Sequence, residues 1–204
     1  MSKDCDSYKE PTVISESLFK DKGSKHFGYV FPVQTESDIE QSLADIRKKH
    51  HSARHVCYAY CLGTKTIISK STDDGEPHNS AGPPILGQIQ SHELHNTLVA
   101  VVRYFGGTKL GVGGLINAYK TAAKEAISEN VIETKYLRKT VHLKFPYEIM
   151  SDVMRFTKRE SVRIHSQDFR ESCQLEISIR EKYFSDYLEF LSKLHLLETE
   201  IIES

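Results

Sequence analysis

Hydrophobic and polar positions change period several times along this chain, and the changes divide it. Val141, Leu143 and Phe145 alternate with Thr140, His142 and Lys144, the period-two pattern of a strand with one buried face. Ile149, Val153 and Phe156 then recur at helical spacing. A short strand is predicted over residues 161–167, with Val162 and Ile164 inward, and a turn over 168–172. Cys173, Leu175, Ile177 and Ile179 alternate again. Phe184, Tyr187, Leu188, Leu191 and Leu194 make a helical stripe, and a last strand covers 198–202. The order β-α-β-β-α-β is that of the ferredoxin-like split βαβ motif.

The first half reads as mixed α/β. Strands are predicted over residues 12–19 and 27–33, with Gly23-Ser24 turning between them. Thr35 to Asp38 carry helix-opening residues, and Ile39, Leu43 and Ile46 fall on one helical face. Residues 56–62 form a strand rich in tyrosine and cysteine, pairing with 65–71 across Gly63-Thr64. A short helix over 84–90 and a buried strand over 98–105 follow. A helix over 114–130 carries Leu115, Ala118, Ala122 and Ala126. The pattern changes near residues 133–140, so the expected domains are 1–135 and 136–204.

With 204 residues, 39 % apolar and 27 % charged, the composition is that of a folded chain. No apolar run approaches the ~18 residues of a membrane span, and the opening MSKDCDSYKE shows no apolar signal segment. The formal net charge of −1 argues against a generic polyanion binder and leaves room for a local basic patch. Cys5, Cys57, Cys61 and Cys173 contain no CxxC pair; the expectation is reduced thiols and a cytoplasmic protein. His50, His51 and His55 with Cys57 and Cys61 lack a standard zinc spacing, which favours buried cysteines over a structural metal.

Two loops concentrate the chemistry. One runs from Ser71 to Pro84 and packs Asp73, Asp74 and Glu76 into four residues. That density suits a divalent cation held by carboxylates and water, or an aspartate-capped turn at Gly75. The other runs from Arg103 to Gly114, from a strand into a helix, with Gly106, Gly107, Gly111, Gly113 and Gly114. Glycines and free N–H groups at a helix start suit a phosphate, and Arg103 and Lys109 add charge. Neither G-x-x-x-x-G-K-[ST] nor G-x-G-x-x-G is completed there, so tight helix–strand packing is an equal reading. Tyr104 and Phe105 are candidates for stacking on bases. Cys57 near His55 or His78 is a candidate nucleophile pair.

The order His55-x-Cys57-Tyr58-Ala59-Tyr60, Asp73-Asp74-Gly75-Glu76-Pro77, Ala81-Gly82-x-Pro84 and Arg103-Tyr104-Phe105-Gly106-Gly107-x-Lys109-Leu110-Gly111-x-Gly113-Gly114-Leu115 resembles the IMPACT/YigZ family. Upstream, Lys22-Gly23-Ser24-Lys25-x-Phe27 fits that family's opening and adds Lys25 to the candidates. The resemblance covers residues 15–130, and the C-terminal part resembles the small domain of bacterial members. It implies an α+β protein: an N-terminal domain like the second domain of ribosomal protein S5, then a ferredoxin-like domain like the last one of the ribosomal translocase. It also implies a translation-associated regulatory role with RNA or the ribosome; a protein partner in translation is a further candidate, and no cofactor and no membrane are expected. The alternatives are a metal-dependent hydrolase or phosphoryl-transfer enzyme using Asp73, Asp74 and Glu76, or a protein-interaction module.

Overall fold

The computed structural model describes residues 6–170 and 172–202; Cys5 lies outside them. The chain forms two compact units, one of residues 8–135 and one in which Asp6 and Ser7 join the chain from Tyr136 onward. Asp6 groups with the second unit because its buried carboxylate accepts hydrogen bonds from Arg180 Nη2 at 2.7 Å, Arg180 Nε at 3.0 Å and the Lys182 N–H at 3.1 Å.

Elements from β1 to β7 run β1 (Ser7–Pro11), β2 (Ser15–Asp21), β3 (Ser24–Pro32), α1 (Glu36–Lys49), β4 (His55–Leu62), β5 (Ile68–Thr72), α2 (Gly82–Ser91), β6 (Thr97–Tyr104), α3 (Gly111–Ser128) and β7 (Ile132–Tyr136), all in the first unit except the end residues Ser7 and Tyr136. Five strands form an antiparallel sheet in the order β2-β3-β6-β4-β5. Strand β6 is central and covered on both faces. Val99 and Val101 pack with α2 and α3 through Ile85, Ile89, Ala118 and Ala122. Leu98, Ala100 and Val102 pack with α1 through Ile39 and Ile46. A strand buried on both faces reads as a continuous apolar run, which is why its periodicity is weak and its position clear. Helix α1 opens with a reciprocal capping box between Thr35 and Asp38.

The short ribbon of β1 and β7 is not anticipated by the sequence pattern. Its strands, SYKEP and IETKY, are polar, so no hydrophobic alternation marks them. Helix α3 begins at Gly111 rather than 114, which places Gly113 and Gly114 in its first turn instead of the preceding loop.

In the second unit β8 (Arg138–Phe145), α4 (Met150–Thr157), β9 (Val162–Phe169), β10 (Cys173–Arg180), α5 (Phe184–Ser192) and β11 (Glu198–Ile202) follow in sequence. The sheet order is β11-β8-β10-β9, antiparallel throughout. Val141, Leu143, Leu175 and Ile177 face Val153, Phe156, Phe184 and Leu191 of the two helices. Ile164 departs from expectation and is exposed: it pairs with the buried Ile177, but it lies on the edge strand β9, next to the register shift that leaves His165 unpaired in the ladder.

Candidate functional site

Residue Arg103 ends the α3-facing side of β6, with His26 of β3 and His55 of β4 as its cross-strand neighbours. Its Nη1 donates to Glu76 Oε1 at 2.7 Å, and Tyr119 Oη of α3 donates to the same oxygen at 2.8 Å. The side chains of Arg103 and Glu76 are only 9 % and 4 % exposed. The expectation that Arg103 offers its charge freely to a phosphate is therefore corrected: its charge is balanced inside the fold. It also supports a neighbour, its guanidinium carbon lying 5.6 Å from the centre of the Phe105 ring.

The acidic loop is a stapled turn. Asp73 Oδ1 accepts from the Ala81 and Gly82 N–H groups at 2.9 and 2.8 Å, and its Oδ2 accepts from the Asn79 N–H at 2.8 Å. Burial pushes the Asp73 carboxyl up, but these three donors outweigh it and hold it below the usual carboxylate range. Asp74 Oδ2 accepts from the Val56 N–H at 2.7 Å and from Arg47 at 3.2 Å. Glu76 belongs to Arg103 and Tyr119. Each carboxylate serves a different partner, so the reading of a shared cation among Asp73, Asp74 and Glu76 is corrected. Among the described residues no three metal-binding side chains gather anywhere.

Cys57 is buried beneath this loop, and its Sγ donates to the Asp73 carbonyl at 2.9 Å. Burial pushes its thiol up to about 12, with the carboxylates of Glu76, Asp74 and Asp73 adding to the effect and the nearby Tyr119 hydroxyl opposing it. A thiol held there is not a nucleophile near neutrality, which corrects the Cys57–His55 pairing. Burial likewise raises the Tyr119 phenol above its ordinary value. His55 Nδ1 donates to the Asp74 carbonyl at 2.9 Å, which fixes the ring against the acidic loop.

The glycines divide by purpose. A Cβ on Gly106 would meet the Gly23 carbonyl carbon at 1.9 Å and the Ser24 nitrogen at 2.1 Å, so Gly106 is there for packing. Gly107 and Gly111 have φ of +90° and +73°, where side chains are strained. Gly114 is close to Leu110, and Gly113 meets nothing.

A cavity of about 710 Å³ opens where these segments meet. Arg54 and His55 wall one side and Glu76 and Pro77 another, with Arg103 behind. Phe105, Lys109 and the start of α3 through Gly111 and Val112 close the rest. A smaller cavity of about 430 Å³ lies beyond Phe105, lined by Gly23, Lys25, Phe27, His50 and Tyr104. Phe105 borders both and is 59 % exposed. Tyr104 is tied down instead: His50 joins the Tyr104 and Tyr29 hydroxyls at 3.0 and 2.7 Å. The structure thus brings together Lys25, His55, Arg103, Phe105, Lys109 and Gly111 around two adjoining cavities, and it leaves Gly113 and Gly114 outside their walls. Sequence reasoning missed Arg54, which stands beside His55 in the chain but has no spacing that marks it.

A family model described as the Impact N-terminal domain matches residues 22–127. The IMPACT family member YvyE of Bacillus subtilis is 31 % identical over 172 residues, covering 84 % of this chain and 79 % of that protein. An IMPACT family member of Haemophilus influenzae is 32 % identical over 176 residues, 85 % of this chain and 84 % of its own. A crystal structure of a hypothetical protein aligns with a TM-score of 0.69 at 23 % identity over 98 % of each chain, a shared fold.

Proposed function

The chain belongs to the IMPACT family, and from that premise we propose a translation-associated regulatory protein that binds RNA or the ribosome through residues 8–135. The observation that carries this reading is Phe105. Its ring is exposed between two cavities, with Lys25 at one and Arg54 and Lys109 at the other. An exposed aromatic flanked by cations suits single-stranded nucleic acid, where bases stack and phosphates are neutralised. The net charge of −1 is no obstacle, since the local field at the site governs such binding.

The same premise supports reading residues 8–135 as an S5 domain 2-like unit. The element order and the β11-β8-β10-β9 sheet support a ferredoxin-like reading of the second unit. Among the described residues no helix is long and apolar enough to cross a membrane.

Co-sedimentation with ribosomes and with a panel of structured and single-stranded RNA tests the function. Phe105→Ala and Lys109→Glu, both at exposed positions, are expected to weaken binding while the chain stays folded. A folded wild-type protein that remains in the supernatant at low salt would overturn the reading.

A further inference from the structure

The larger cavity holds more positive charge than it balances. Glu76 is the one carboxylate among its described lining residues, and Arg103 and Tyr119 already hold it. Arg54 and Lys109 face the same space, both exposed and without an ion-pair partner among the described residues. Behind them, Arg103 Nε is buried and has no hydrogen-bond partner among the described residues, an uncommon state for a buried donor. Helix α3 starts at the cavity edge with Gly111 and Val112. Its N-cap Leu110 supplies no side-chain cap, and its first turn carries no acidic residue. The free N–H groups of a helix start favour an anion. The volume, about 710 Å³, is that of a small-molecule site, on the order of 300–1,000 Å³.

We propose that this cavity takes a nucleotide unit bearing a phosphomonoester, with the phosphate between Arg54, Lys109 and the first turn of α3 and the base against Phe105. The inference rests on the nucleic-acid reading above and sharpens it: the ligand is a strand end or a free nucleoside monophosphate. A phosphomonoester carries about −1.5 to −2 near pH 7, which answers two unbalanced cations, whereas an internal phosphodiester answers one.

Calorimetric titration of the full chain distinguishes the sources. The probes are one short single-stranded RNA made with a 5′-phosphate, with a 3′-phosphate or with hydroxyl ends, and AMP and UMP alone. One phosphorylated end is expected to bind about tenfold tighter than the hydroxyl-ended strand, with AMP or UMP competing. Arg54→Ala/Lys109→Ala is expected to erase that preference, with an unchanged circular dichroism spectrum and with all three strands bound equally and more weakly than by the wild type, through Lys25 and Phe105. Equal affinity for all three strands, with no competition, overturns the inference and leaves the nucleic-acid reading standing. Binding of AMP or UMP with no strand bound supports the inference and overturns that reading. A folded chain that binds none of the probes overturns both.

Discussion

Glu76 and Arg103 meet at 2.7 Å although 27 residues separate them, one in the loop after β5 and the other at the end of β6. Both side chains are almost fully buried. Removing one partner of such a pair strands a buried charge, which typically costs about 3–5 kcal/mol. Arg103→Ala is expected to fall in that range in urea unfolding. Glu76→Gln/Arg103→Met is expected to cost less than the sum of its single changes, because neither charge is then left alone. An additive double-variant cycle would contradict the coupling.

Two glycines seven residues apart are expected to respond in opposite ways. Gly106→Ala forces a Cβ into the Gly23–Ser24 backbone and should be strongly destabilising. Gly113→Ala meets open space within a helix and should stabilise by about 0.5–1 kcal/mol through helix propensity. Thermal melts of the two variants check both signs.

Acid sensitivity is expected from His26. It is fully buried and neither ring nitrogen has a hydrogen-bond partner among the described residues. Burial, and then the charge of Arg103, lower it from 6.5 to about 4, against the carboxylates of Glu76 and Asp21. Between those values the unfolded chain binds the proton and the folded chain does not. Stability from this group is thus complete above about pH 6.5 and falls as pH drops toward 4. Urea unfolding across that window should show a shallower pH slope for His26→Leu than for wild type; equal slopes would contradict the assignment.

Cys57 should be inert in the folded chain. Its thiol is buried, bonded to the Asp73 carbonyl and pushed up to about 12. Iodoacetamide labelling at pH 8, read by peptide mass, should leave Cys57 unmodified until denaturant is added. Rapid native labelling would restore it as a candidate nucleophile.

Much of the fold was legible because burial writes a period. The alternation from Val141 to Phe145 and from Cys173 to Ile179 marks strands with one covered face, and Thr35 with Asp38 marks the start of α1. The site was legible only as neighbourhoods. A dense set of carboxylates resembles a cation site, yet Asp73 and Asp74 spend their oxygens on backbone N–H groups that only the folded loop presents. The commitment of Arg103 to Glu76 depends on which face of β6 it occupies and on what α3 brings opposite. Gly111 reads as loop, yet with φ of +73° it opens a helix. Arg54 joins Lys109 only because the cavity does.

The most direct measurement of the central claim is the affinity for single-stranded RNA across a salt series. Each phosphate neutralised contributes a slope of about −0.7 in log affinity against log salt. Lys25, Arg54 and Lys109 together should give about −2 by that measure, and Lys109→Ala should make the slope shallower by about 0.7 at every sequence tested. A slope that Lys109→Ala leaves unchanged, or a folded wild-type chain that binds no RNA at low salt, would contradict the account.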